Sequence, residues 1–165
     1  MSTVRPYEPG DLQACRDLWV ELTEHHRLIY GVDSIGGDDP GSQFDDHLAA
    51  VGPTRLWVAE HDGAVVGLTG LIVDGTSAEV EPVVVSKAAR GRGFGVALVE
   101  RVVAEARTLG IELLSVRPVA RNTSALRFFH DAGFDVLGHI EAFMDLNGER
   151  DWVPGETIAG REFRV

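Results

Sequence analysis

"VVVSKAARGRGFGVALVERVV", residues 83–103, decides how this chain folds. Val83, Val84 and Val85 read as a strand, and the apolar run after Gly95 reads as a helix. Between them stand three glycines at alternating positions, Gly91, Gly93 and Gly95, flanked by Arg90 and Arg92. Glycines cost conformational entropy, and a plain strand–helix turn needs one of them, not three. Backbone N–H groups in a glycine-rich turn, backed by a helix N-terminus, suit an anion. The loop therefore reads as a phosphate cradle.

Two common phosphate motifs fail here. A dinucleotide fingerprint would need a glycine where Leu98 stands, inside a parallel βαβ unit. A nucleotide P-loop would need Lys-Ser or Lys-Thr after its last glycine, and neither follows.

Outward from the loop, the pattern is a mixed α/β domain. Residues 95–110 form a helix whose apolar face is Val96, Leu98, Val99, Val102, Val103 and Ala106, stopped by Gly110. Upstream, runs 55–61, 64–73 and 77–85 are separated by "HDGA" and "DGTS", and Asp-Gly is a hairpin signal, so an antiparallel meander is expected. Residues 3–9 read as a first strand and 10–30 as a helix with Asp11 as its N-cap. Residues 31–46 read as a loop, and 44–51 as a short helix. Downstream, 111–119 is expected as a strand, 121–133 as a helix ended by Gly133, and 134–146 and 157–165 as two last strands. No repeat or linker interrupts the 165 residues, which are expected to form one domain.

Composition narrows the partners. The formal net charge of −11 argues against nucleic-acid binding, which needs a basic face, and suits a cationic small molecule. No run of about eighteen apolar residues is present, so no membrane span is expected. The first residues contain no apolar signal core, which points to the cytoplasm. Cys15, the one cysteine, sits at helical spacing with Leu12, Leu18, Trp19 and Leu22 and reads as a buried core thiol. Six histidines show no metal-ligand spacing, so no metal is expected. No nucleophile elbow appears.

Glu79 and Glu81 in "AEVEPVV" are candidate bases. They project to one face of an extended strand, where two like charges raise the pKa of at least one. Pro82, inside the same strand, marks an edge or a bulge.

Arg90-x-x-Gly93-x-Gly95 after a valine strand, followed by "RNTSALRFFHDAGF" at 121–134, resembles the Gcn5-related N-acetyltransferase (GNAT) superfamily. The element order matches across almost the whole chain. The resemblance implies acetyl transfer from acetyl-CoA to a primary amine by direct attack in a ternary complex. It implies that the pyrophosphate of acetyl-CoA sits on the loop, at Arg90, Gly91, Arg92, Gly93, Phe94, Gly95 and Val96. The pantetheine arm would run along Val83, Val84 and Val85, chiefly the first and last of these. Asn122, Ala125 and Phe129, sharing one helix face at i, i+3, i+7, would contact the cofactor, although Asn122 also reads as an N-cap. Glu79 matches the strand glutamate used as base in some members. The region after the first helix often lines the acceptor pocket, which points to His25, His26, Tyr30 and the acidic loop 33–46. Dimers are common in such folds, so a homodimer is among the implied states.

One departure stands out. Many members carry a tyrosine at the position of Phe129, where it protonates the departing thiolate. Phe129 has no hydroxyl, and His130 is turned about 100° away on the helix. The thiolate then leaves unaided, or Tyr30 or a water serves. Other readings remain open: a non-catalytic CoA-binding module, a nucleotide-binding protein of another kind, and an acyltransferase that acts on a protein lysine or N-terminus or moves an acyl group other than acetyl.

Overall fold

A computed structural model describes residues 2–165. The chain forms two compact units, Met1–Arg117 and Pro118–Val165.

In the first unit the elements run β1 (Ser2–Pro6), α1 (Leu12–Tyr30), α2 (Gln43–Val51), β2 (Leu56–His61), β3 (Ala64–Asp74), β4 (Ser77–Val85), α3 (Phe94–Thr108) and β5 (Leu113–Ser115). The strands form one sheet in chain order, antiparallel from β1 to β4 and parallel between β4 and β5. The expected meander is present. Asp62 and Gly63, both at positive φ, make the first hairpin turn.

Helices cover both faces of the sheet. On one face Cys15 and Leu18 of α1 and Phe44 of α2 close over Leu56, Val58, Leu68 and Val84. On the other, Phe94 and Leu98 of α3 lie on Ala59, with Val66 and Val85 beside them. Cys15 is fully buried in the first layer, and burial pushes its thiol up to about 12. α3 ends as its sequence requires: Gly110 takes positive φ and donates to Arg107, while Ile111 donates to Ala106, a Schellman closure.

Asp11 sits at the start of α1 but its side chain does not cap that helix. Its carboxylate turns back to accept both Nη atoms of Arg5, at 2.8 and 2.9 Å, and the Glu8 amide. A bidentate charged pair outcompetes a single backbone amide. Of the expected 31–46 loop, residues 31–39 are irregular, while Pro40–Ser42 form a 3-10 turn that runs into α2; Arg27 ties the irregular part down by donating to the carbonyls of Ile35 and Gly37.

The fifth strand is shorter than the sequence suggested, three residues in place of nine. Its pairing with β4 ends at Glu79↔Ser115. Just beyond, Glu81 and Pro82 stand opposite Gly70 alone, since Thr69 pairs Val83 and Leu71 pairs Val80. That bulge re-aims β4 away from the line of its parallel neighbour.

The second unit contains α4 (Thr123–Asp131), β6 (Pro154–Ile158) and β7 (Arg161–Arg164). Here two expectations need correction. Residues 134–146 form no strand, and the C-terminal run is not one strand but half of a β6–β7 hairpin turned at Ala159-Gly160. A strand needs a partner edge, and β6 and β7 pair with each other. Val136, Leu137, Met144 and Leu146 are left more than four-fifths exposed.

Candidate active site

The glycine loop joins the end of β4 to α3. Gly91 and Gly93 both take positive φ, and a Cβ on either would meet nothing within 4 Å. The loop thus presents bare backbone to open space. The first intrahelical bond of α3 runs from the Ala97 amide to the Gly93 carbonyl at 3.0 Å. The amides of Phe94, Gly95 and Val96 therefore lack helical acceptors and carry the positive end of the helix dipole. Arg90 and Arg92 are exposed. Arg90 Nε donates to the Val85 carbonyl at 3.0 Å, and Arg92 Nη1 lies 3.3 Å from His61 Nε2. This arrangement can hold a diphosphate.

The valine strand supplies a second row of backbone groups. The Ser86 amide donates to the Val66 carbonyl at 2.8 Å. Antiparallel ladders alternate bonded and non-bonded pairs. Val84–Leu68 is then bonded, while Val83–Thr69 and Val85–Gly67 turn their N–H and C=O groups toward the other edge. That edge has no strand partner beyond Glu79 among the described residues. The Arg90 contact with the Val85 carbonyl agrees with this orientation. Such an unpaired row is of the kind that an extended amide-bearing chain can bond to, with the Val85 carbonyl held by Arg90.

Glu79 and Glu81 differ. Glu79 is half-buried, its side chain 15% exposed, and Arg117 Nε lies 3.3 Å from Oε2. Burial raises its pKa, Arg117 opposes, and the Glu81 charge adds to the rise. The dominant cause is therefore desolvation rather than the like-charge pair. Glu81 is exposed.

His25, His26 and Tyr30 occupy the last two turns of α1. The two imidazoles lie 6.3 Å apart, and burial, then the His25 charge, lowers the pKa of His26. In the second unit, Asn122 is the N-cap of α4: its Oδ1 accepts from the Ala125 amide at 3.1 Å and from Ser124 Oγ at 2.8 Å. Phe129 meets Phe128 and Phe134 edge-on, at 5.1 and 5.8 Å between centroids.

The family model described as "Acetyltransferase (GNAT) family" matches residues 13–134. The chain belongs to that family. It is accordingly an acetyl-CoA-dependent N-acetyltransferase. No curated protein shows significant sequence similarity to it. Among solved structures, a transcriptional regulator from Bacillus halodurans C-125 superposes with a TM-score of 0.66 at 23% identity, covering 88% of this chain and 100% of that one. YncA from Salmonella typhimurium, solved with its cofactor acetyl-CoA, gives 0.62 at 23% identity over 81% and 79%. AAC(6')-Iy, solved with the bisubstrate analogue CoA-S-monomethyl-acetylneamine, gives 0.63 at 15% identity over 88% and 98%. These likenesses establish the acetyltransferase fold.

Sequence reasoning missed three groups around the candidate site of this acetyltransferase. Glu21 of α1 accepts from Ser86 Oγ and the Lys87 amide, both at 2.8 Å, and so ties the helix to the start of the loop. Arg117 is the partner of Glu79. His47 of α2 reaches the bulge at Gly70. Each contact spans more than twenty residues of sequence, and no local pattern signals it. Among the described residues no cluster of ligands for a metal ion occurs, and no helix is long and apolar enough to cross a membrane.

Proposed function

We propose that this acetyltransferase acts as a single domain that moves the acetyl group of acetyl-CoA to the primary amine of a cationic small molecule, by direct attack in a ternary complex. The observation that carries the reading is the setting of Glu79. It is half-buried, raised in pKa by burial, and stands at the last paired position before β4 leaves β5. An alkyl ammonium must lose a proton before it can attack, and a carboxylate of raised basicity is suited to take it. Glu79 is the base in this reading, and Glu81 contributes negative charge beside it.

Bound acetyl-CoA would supply an activated thioester. The amides at 93–96 and the guanidinium groups of Arg90 and Arg92 would hold its diphosphate, with the bare backbone of Gly91 and Gly93 allowing close approach. Val83 and Val85 would orient the pantetheine arm, with Val84 buried behind them. Asn122, Ala125 and Phe129 would complete the cofactor contacts. His25, His26 and Tyr30 would face the acceptor, a role favoured by the Glu21 anchor one turn before His25. Phe129 offers no proton, so the thiolate leaves unaided or is met by Tyr30 or water. The formal charge of −11 favours a cationic acceptor by steering. The match over residues 13–134 runs from the first compact unit into the start of the second, which supports their working as one domain.

The test is thiol release from acetyl-CoA across a panel of polyamines, aminoglycosides, amino-acid derivatives and lysine peptides, with the acetylated product weighed by mass spectrometry. Release with cationic small amines is expected. Tight acetyl-CoA binding with no release on any amine would overturn the reading in favour of a non-catalytic CoA-binding module, and release confined to peptides would move the acceptor to a protein.

A further inference from the structure

α2 carries a histidine that neither the loop nor the glutamates account for. The His47 ring lies against Trp19 of α1, with centroids 5.1 Å apart. Its Nε2 is covered by protein and makes no hydrogen bond of normal geometry. A buried polar atom without a partner is costly, so its position calls for a reason.

Gly70 supplies one. A Cβ there would stand 2.5 Å from the Glu81 carbonyl oxygen, 2.8 Å from Leu56 Cδ2 and 3.3 Å from His47 Nε2. The imidazole nitrogen and the Glu81 carbonyl thus converge on the small space that glycine leaves. This is the back of the bulge, where Glu81 and Pro82 together oppose Gly70. Burial lowers the His47 pKa and the Glu81 carbonyl acts in the other direction. The ring is therefore mostly neutral at pH 7 and can carry its proton on Nε2.

We infer that His47 is a positioning residue, which braces the Glu81 carbonyl through the space beside Gly70 and so holds the β4 bulge. The bulge lies between Glu79 and the Val83–Val85 edge, so its geometry sets their separation. The consequence for the bulge needs only the contacts above. The consequence for turnover rests on the proposed role of Glu79.

His47→Phe keeps a ring against Trp19 and removes the donor. His47→Gln keeps a donor near the place of Nε2, and His47→Leu is a second variant without one. Hydrogen exchange at the Val84 and Leu68 amides, the bonded pair next to the bulge, reads the brace directly. Exchange about tenfold faster in His47→Phe and His47→Leu, and close to wild type in His47→Gln, is expected. With a turned-over amine, kcat should fall about tenfold or more in the Phe variant while the KM for acetyl-CoA stays within about threefold, because misplacing a proton acceptor affects chemistry more than binding at a separate loop. The Gln variant should recover kcat. Unchanged exchange in Phe and Leu, or a Gln variant that behaves like Phe, would overturn the inference. If no amine is turned over, the proposed function fails while the exchange rates still decide the role of His47. Should the Phe variant not fold, the Leu and Gln pair gives the same comparison.

Discussion

Glu79 stands opposite Ser115 at the last pairing between β4 and β5, and two residues later the chain bulges away. The backbone that carries the carboxylate is thereby paired on both sides, with Ile72 and Ser115, and the pairing with β5 ends there. Replacing Glu79 with glutamine should lower kcat about a hundredfold, within the range for a general base, and should remove the acidic limb of the pH–rate profile. An unchanged profile would end its assignment as base.

The same residue makes a stability prediction of opposite sign. Its folded pKa is raised, chiefly by burial, so the folded state holds the proton more tightly than the unfolded state. Stability is then lost as pH rises from the usual glutamate value through the raised one. Glu79→Gln should melt higher than wild type at pH 7–8, and the gain should vanish below about pH 4. Calorimetric melts at both pH values check this.

Arg117 opposes that rise from an exposed position, its side chain 81% accessible. Arg117→Ala should move the acidic limb of the rate profile upward. With the guanidinium in water the pair is worth about 1 kcal/mol or less, so the move should be under about one pH unit. A downward move would contradict the arrangement.

Gly93 takes φ of 85° with open space where a Cβ would stand. Gly93→Ala should cost about 1 kcal/mol in folding from the left-handed conformation. It should also weaken acetyl-CoA binding, because the added methyl projects from the cradle. Titration calorimetry and denaturant melts separate the two effects; a variant that binds acetyl-CoA as wild type does would remove Gly93 from the diphosphate contacts.

The Arg5–Asp11 pair should govern part of the acid limit. Arg5 holds the Asp11 carboxyl below the usual value, against the opposing effect of burial. Its contribution is present above the ordinary aspartate pKa and is lost as pH falls through the folded value. Asp11→Ala should destabilise by about 1–3 kcal/mol at pH 7, and the difference from wild type should shrink below about pH 3.

The residues whose roles were legible in the sequence are those whose signal is local. Gly91 and Gly93 of the loop, Gly110 and the Asp62-Gly63 turn each answer to a backbone dihedral that few other residues tolerate, whereas Gly95 lies in the first turn of α3 with no positive φ. Pro82 marked the bulge because it cannot donate to a ladder. The 134–146 run shows the limit. Its apolar residues suit a strand, but pairing depends on a free edge elsewhere in the chain. Asp11 likewise has the chemistry of a cap, and Arg5 redirects it.

From sequence alone came the acetyltransferase resemblance, carried by the loop motif and the 121–134 run, and, because short-range sterics and hydrophobic period determine them, the strand–loop–helix that presents bare amides, the order of the elements as far as α4 and the two glutamates on one strand. The tertiary structure decided which glutamate is buried and raised, where the pairing of β4 with β5 ends, and that Glu21 meets Ser86, Arg117 meets Glu79 and His47 reaches Gly70. Desolvation and long-range contacts exist only after the sheet and helices have closed on one another, so these properties have no counterpart in any short stretch of the chain.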